Sequence, residues 1–193
     1  MDYLIIGGGW ALYLAMHSLF AAHGTKRFVE RNIPFLYKLY RLVYTLSNSF
    51  GFLVLMYLMA ITPSKVFFQP SGYLRYVAMV LASWGVIVTV VSFRHISGMA
   101  FLGFKPEENI GLVRRGLHAY VRHPIYSGTI LIIVGMMMYV ATDTIIVSGV
   151  VILLYLPLGI WFEEQKLIEI FGNDYLEYKR EVPAIIPFPR KSV

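Results

Sequence analysis

The chain has 193 residues, 58% hydrophobic and only 15% charged, with a mean hydropathy of +0.64. A soluble domain carries about 25% charged and about 45–50% apolar residues, so the departure points to the membrane and excludes intrinsic disorder. Zero cysteines exclude a disulfide scaffold, a thiolate metal site and a cysteine nucleophile, and the +6 formal charge reads as a topology signal rather than a nucleic-acid footprint.

A spanning helix needs about 20 mostly apolar residues. The first run is Tyr3 to Ala22. Met1-Asp2 offers no positive leader and the run is long, so a retained span is expected rather than a cleavable signal. Gly7-Gly8-Gly9 lacks the strand and the spacing of a nucleotide loop, so it reads as small residues for close helix packing. His17 and Ser18 near its end read first as polar contacts between helices. His17 and His23, six apart, do not share a helix face, so no metal site is read there. A basic loop follows, with Lys26, Arg27, Arg31, Lys38 and Arg41. The second span is Leu42 to Ile61 and the third Tyr73 to Phe93, with Arg94 and His95 at the interface. The fourth is Ile125 to Ala141. The break Thr142-Asp143-Thr144 separates it from the fifth, Ile145 to Phe162, and a break that tight predicts a helical hairpin.

Five spans with the first end outside place 15 of the 17 Lys and Arg residues on the cytoplasmic side, leaving Lys65 and Arg75 opposite. The expected fold is all-α: a polytopic membrane bundle of five helices, N-terminus outside, C-terminus cytoplasmic, its last two helices a hairpin. Residues 1–193 form one membrane domain, with three spanning helices in 3–93.

The polar chemistry gathers in 94–125 and 163–190. Arg122-His123-Pro124 ends the first stretch. Pro124 suits the first position of a helix, and His123 before it is pushed out of the helical region. Span four therefore starts at Pro124, with free N–H groups that suit an anion. Tyr126 and Gly128 sit near that start, and Gly128 lets a ligand approach the backbone. Glu163 and Glu164 stand at the end of span five, the unfavourable end of a helix dipole for carboxylates, and ask for a cationic partner. Leu167, Ile168, Phe171, Tyr175 and Tyr178 then recur at helical spacing, interrupted by a turn at Gly172-Asn173. An amphipathic segment on the bilayer surface is expected there, ended by Pro183, Pro187 and Pro189. The hairpin brings 122–128 beside 160–166, among Tyr120, Tyr126, Trp161 and Phe162. That polarity suits a zwitterion with a cationic centre and an aromatic ring: S-adenosylmethionine, or equally a phospholipid headgroup.

Arg122-His123-Pro124-x-Tyr126-x-Gly128, then Glu163-Glu164 and Phe171-Gly172-x-x-Tyr175-x-x-Tyr178, resembles the integral membrane methyltransferases. These include the isoprenylcysteine carboxyl methyltransferases, the phospholipid methyltransferases and their bacterial relatives. The match runs from Gly111 to Pro187. His17-Ser18-Leu19, Tyr40 to Tyr44 and Phe101 to Phe104 are similar to the NnrU-like proteins and methanethiol S-methyltransferases. The resemblance implies S-adenosylmethionine as cofactor, bound by the 94–193 half through His118, Tyr120, Arg122, His123, Pro124, Tyr126, Gly128, Glu163 and Glu164. It implies Glu163 and Arg122 as catalytic residues and no metal. It also implies a prokaryotic cell membrane with the site facing the cytoplasm, with membrane lipids and a small or lipophilic acceptor (thiol, amine or carboxylate) as partners.

In this reading Arg122 and the span-four start hold a carboxylate, and Glu164 holds the ribose or the cationic side. His123, His118 and Glu163 are candidate bases. The alternatives are a membrane oxidoreductase using a nicotinamide cofactor and a non-enzymatic binding protein.

Overall fold

Inside a bilayer a backbone has only itself to hydrogen-bond to, so long apolar runs become helices. The computed structural model describes residues 2–37, 39–95 and 111–187. Its long helices are α1 (Asp2–Ala21), α4 (Tyr40–Ile61), α5 (Tyr73–Ser92), α6 (Pro124–Tyr139) and α7 (Asp143–Phe171). The basic segment after α1 is helical rather than a loop, as α2 (His23–Asn32) and α3 (Pro34–Tyr37), and α8 (Asn173–Glu181) closes the described chain. Phe101 to Phe104, Lys38, Lys105, Pro189, Arg190 and Lys191 lie outside the described residues.

Four helices, α1, α4, α5 and α7, are long and apolar enough to cross a membrane, and α6 is shorter. Large apolar side chains such as Leu4, Phe50, Tyr73 and Leu154 point outward. The chain is a multi-pass membrane protein.

Helix α6 ends at Tyr139, two residues earlier than the sequence suggests, because Ala141–Thr142 pairs as a strand. This strand, β2, lies antiparallel to β1 (Val66–Phe68), with Val66 opposite Thr142. The all-α expectation is thus amended by one two-stranded ladder at the end of the bundle away from Glu164. Thr142 then caps α7, its Oγ1 accepting from the Ile145 N–H at 3.2 Å, and Asp143 favours that helix start through the dipole. The tight break is therefore a helix cap, and α7 begins two residues earlier than expected.

Helix α1 packs on α4 and α7 around Ile6, Trp10 and Leu55. A Cβ on Gly7 would stand 3.0 Å from Val147, and one on Gly9 3.0 Å from Leu55. The glycine run does serve helix packing. Helices α5 and α6 approach more closely still. A Cβ on Gly85 would meet the Gly128 carbonyl at 2.6 Å, and one on Gly135 would meet the Ala82 nitrogen at 2.7 Å. Small residues let two backbones touch where lipid supplies no hydrophobic drive.

Gly85→Val should therefore separate α5 from α6 and lower stability by about 1–3 kcal/mol or more, read by denaturant unfolding in detergent. Gly8→Ala, whose Cβ meets nothing within 4 Å, should be silent. Equal stability of wild type and Gly85→Val would contradict the close packing.

Candidate functional site

Helix α7 has 29 residues, about 44 Å at about 1.5 Å per residue, against a hydrocarbon core of about 30 Å. Its surplus carries Glu163 and Glu164 beyond the apolar run. This corrects the expectation that the pair closes a helix. Residues 163–170 contain no Gly or Pro and are good helix formers, so the helix runs on to Phe171. It stops at Gly172, whose φ of +55° suits glycine. The carboxylates therefore do not oppose a helix C-terminus; side chains compensate them.

Helix α6 starts at Pro124, with His123 as its cap at φ −122°, ψ 64°, as the Pro rule predicts. The hairpin then sets His123 against both glutamates. Glu164 is buried, its side chain 7% exposed. Its Oε1 accepts from Arg122 Nη2 at 2.6 Å and Nε at 3.0 Å, and lies 3.3 Å from His123 Nε2. Its Oε2 lies 2.5 Å from Lys179 Nζ. Both oxygens of Glu164 are thus taken by this chain's own groups. Glu163 is different. Its side chain is 45% exposed, with Oε2 3.7 Å from His123 Nδ1 and the Tyr126 hydroxyl nearby. Trp161 and Phe162, one turn earlier or less, are exposed and in edge contact at 4.9 Å.

Arg122 is pinned as well. Its Nη1 donates to the Lys179 and Val182 carbonyls. The backbone after α8 crosses the start of α6. Pro183 and Ala184 carbonyls accept from the Arg122 and His123 N–H groups at 2.8 and 2.9 Å, and Ser127 Oγ donates to the Ile185 carbonyl at 2.7 Å. This crossing holds the ion cluster in place.

Helix α8 is amphipathic as expected, but its apolar face is buried on the protein, not laid on the bilayer. Tyr175, Tyr178 and Val182 pack with Leu112, Leu167, Ile168 and Phe171. The Tyr178 hydroxyl donates to the His118 carbonyl at 2.6 Å, and burial pushes its phenol up to about 12. Burial, then the Glu164 charge, raises Tyr175 too. Both stay neutral hydroxyls at physiological pH.

Of the residues singled out from sequence, Arg122, His123, Pro124, Tyr126, Glu163 and Glu164 come together. His118 sits one layer away in the turn Gly116–Ala119, and Tyr120 points outward. Gly128 is corrected. A Cβ there would strike Thr89 and, at 2.7 Å, the Gly85 carbonyl, so its missing side chain admits α5 and not a ligand. Lys179 was missed. It stands four residues after Tyr175 on α8, its side chain 40% exposed, and that spacing was the available signal.

Glu164→Ala should leave Arg122 and Lys179 uncompensated and cost about 3–5 kcal/mol, whereas Glu164→Gln should cost less. Chemical unfolding of the detergent-solubilised protein reads this, and a silent Ala variant would contradict the cluster.

Residues 74–174, just over half of the chain, match the family model described as phospholipid methyltransferase. The chain is 26% identical over 189 residues to the methanethiol S-methyltransferase of Mycobacterium tuberculosis, covering 93% of this chain and 76% of that one. It is 26% identical over 208 residues to the methanethiol S-methyltransferase of Pseudomonas deceptionensis, covering 100% and 74%. It is 28% identical over 200 residues to the protein-S-isoprenylcysteine O-methyltransferase of Schizosaccharomyces pombe, covering 96% and 71%. No solved structure matches the chain. The chain belongs to the phospholipid methyltransferase family and is a membrane methyltransferase.

Proposed function

We propose that the protein moves a methyl group from S-adenosylmethionine to a small thiol at the cytoplasmic end of the α6–α7 hairpin. The observation that carries this reading is the half-open face of Glu163, His123 and Tyr126, backed by the buried Arg122–Glu164 pair and its outer partner Lys179. Glu163, His123, Tyr126, Arg122 and Glu164 lie within the residues that match the family, and Lys179 lies beyond them.

The donor set fits the cofactor. A sulfonium or a ribose needs an acceptor, and Glu163 is a half-exposed carboxylate. A carboxylate needs donors, and the first N–H groups of α6, at Ile125 and Tyr126, have no carbonyl one turn back within their own helix. An adenine ring needs flat apolar surface, and Trp161 and Phe162 offer it. Bound there, the cofactor supplies an electrophilic methyl group.

The chain's own residues hold the geometry. Glu164 fixes Arg122 and His123, His123 steadies Glu163, and Pro124 sets where α6 begins. His118 and Tyr120 lie on the approach to the site, and Gly128 serves through the packing of α5. Arg122 and Glu163 are the residues on which rate depends most. Holding donor and acceptor aligned and dry is the main requirement of an in-line displacement.

The proposed topology is five crossings, with the first end outside and the site on the cytoplasmic face of a prokaryotic cell membrane. It follows from the 15 cations that this arrangement gathers on one side. Methanethiol S-methyltransferases and an isoprenylcysteine O-methyltransferase both align with nearly the whole chain, so the preference for a small thiol rests on the residues before Glu163. The apolar Leu158 to Phe162 run before Glu163 suits a small, uncharged acceptor.

Calorimetric titration with S-adenosylhomocysteine should give saturable binding, weakened about tenfold or more by Glu163→Gln. A labelled methyl donor should then label methanethiol. No saturable binding by the wild type would end the proposal.

A further inference from the structure

A second polar cluster lies among the spans, joined to the first. His17 on α1 bridges to α4, its Nδ1 3.0 Å from Asn48 Oδ1. Asn48 Nδ2 donates to the Tyr44 carbonyl at 2.8 Å, which turns Oδ1 toward the ring. An amide oxygen only accepts, so the hydrogen of His17 sits on Nδ1, and Nε2 keeps a free lone pair. The Tyr44 hydroxyl lies at the ring edge, 3.1 Å from Nδ1 and 3.3 Å from Nε2, where it can accept from the first or donate to the second. On the other side of α1, Ser18 shares a hydrogen bond with the Tyr155 hydroxyl of α7. Tyr155 and Tyr126 meet beside Gly159, and Tyr126 stands near both Tyr44 and Glu163. Gly159 keeps the junction open, since a Cβ there would stand 3.2 Å from the Tyr155 ring and 3.6 Å from the Tyr126 hydroxyl.

An imidazole inside a membrane is costly, and it is a functional candidate by default. Methylating a thiol releases a proton that needs a destination. We propose that His17 Nε2 is the base that takes this proton, and that His17, Tyr44 and Tyr155 form the acceptor side of the site. The proposal rests on the methyl-transfer reading above.

In the step, the acceptor sulfur forms a bond to the methyl carbon while its S–H electron pair stays on sulfur and the proton passes to His17. The carbon–sulfonium bond breaks, and its electron pair stays on the donor sulfur. A methyl thioether, a neutral donor thioether and an imidazolium result. Phenols and one amide face the imidazole: Tyr13 from α1, and Tyr44 and Asn48 from α4, with Tyr40 of α4, Tyr155 of α7 and Tyr126 of α6 beyond. The Asn48 amide plays the part of a second group that sets the tautomer.

The test uses the purified full chain with methanethiol as the probe. His17→Gln should bind S-adenosylhomocysteine within about twofold of wild type, yet lose about 100-fold in kcat/KM at pH 7. The loss should shrink steadily as the pH rises toward the ionisation range of a simple alkanethiol, above the value of about 8.5 of a cysteine side chain, because the acceptor then arrives without its proton. Asn48→Leu should show the same pattern, and it carries the test should His17→Gln fail to fold. Nitrogen-15 spectra of labelled histidine should show His17 as the Nδ1–H tautomer in wild type and as a mixture in Asn48→Leu. A loss equal at every pH, no loss at all, or an Nε2–H tautomer in wild type would overturn the role. A pH-repaired loss in Glu163→Gln but not in His17→Gln would give the proton to Glu163 instead. Absent S-adenosylhomocysteine binding by wild type would instead sink the methyl-transfer reading itself.

Discussion

A buried carboxylate has to be compensated where it stands, and Glu164 is compensated by three cationic or proton-donating side chains from two other segments. Arg122 and His123 come from the entry to α6, and Lys179 from α8. Removing a charge from water costs several kcal/mol, so such a group is tolerated only when its partners are in place. The rest of this end of the bundle follows from that need. Helix α7 must extend past the apolar run to present Glu164. Helix α8 must fold back to bring Lys179. The chain beyond Pro183 must cross the start of α6, where its carbonyls hold Arg122 and His123. One residue earlier, Glu163 stays half exposed. Adjacent carboxylates on one helix thus divide into a buried organiser and an accessible acceptor.

Two packing regimes serve this end. Between α5 and α6 the contact is dry and close, made by Gly85, Gly128, Gly135 and Ala82. It fixes α6 as a rigid support for His123 and Tyr126. Among α1, α4 and α7 the contact is polar toward one end, where His17, Tyr44, Asn48 and Tyr155 gather. On the proposed reading, the rigid side holds the cofactor and the polar side meets the acceptor.

Much of this was legible in the sequence, for identifiable reasons. Pro124 marked the start of α6 because proline fits only the first turn. The tight Thr142–Thr144 break marked the hairpin, and Gly172 marked the turn. Arg122, His123, Tyr126 and both glutamates were singled out together. What failed was the ledger of partners. Apolar periodicity stops at Phe162, but helix propensity does not, so the end of α7 was misplaced and Glu164 was assigned to a ligand. Its actual partner Lys179 lies on a helix whose buried face looks, in sequence, like a membrane-surface face. Gly128 was read toward a ligand because nothing in one sequence reveals that Gly85 and Thr89 occupy the space beside it. The β1–β2 ladder joins three residues to two across a long separation, too little pattern to detect.

The central claim is that the cofactor lies against the accessible face of the hairpin at its Glu163 end. Ultraviolet cross-linking with S-adenosylmethionine carrying a labelled methyl group, followed by peptide mapping, tests it most directly. The account predicts label in residues 118–128 and 159–166, abolished by excess S-adenosylhomocysteine. Competable label confined to α2, α3 or the β1–β2 end of the bundle would contradict it.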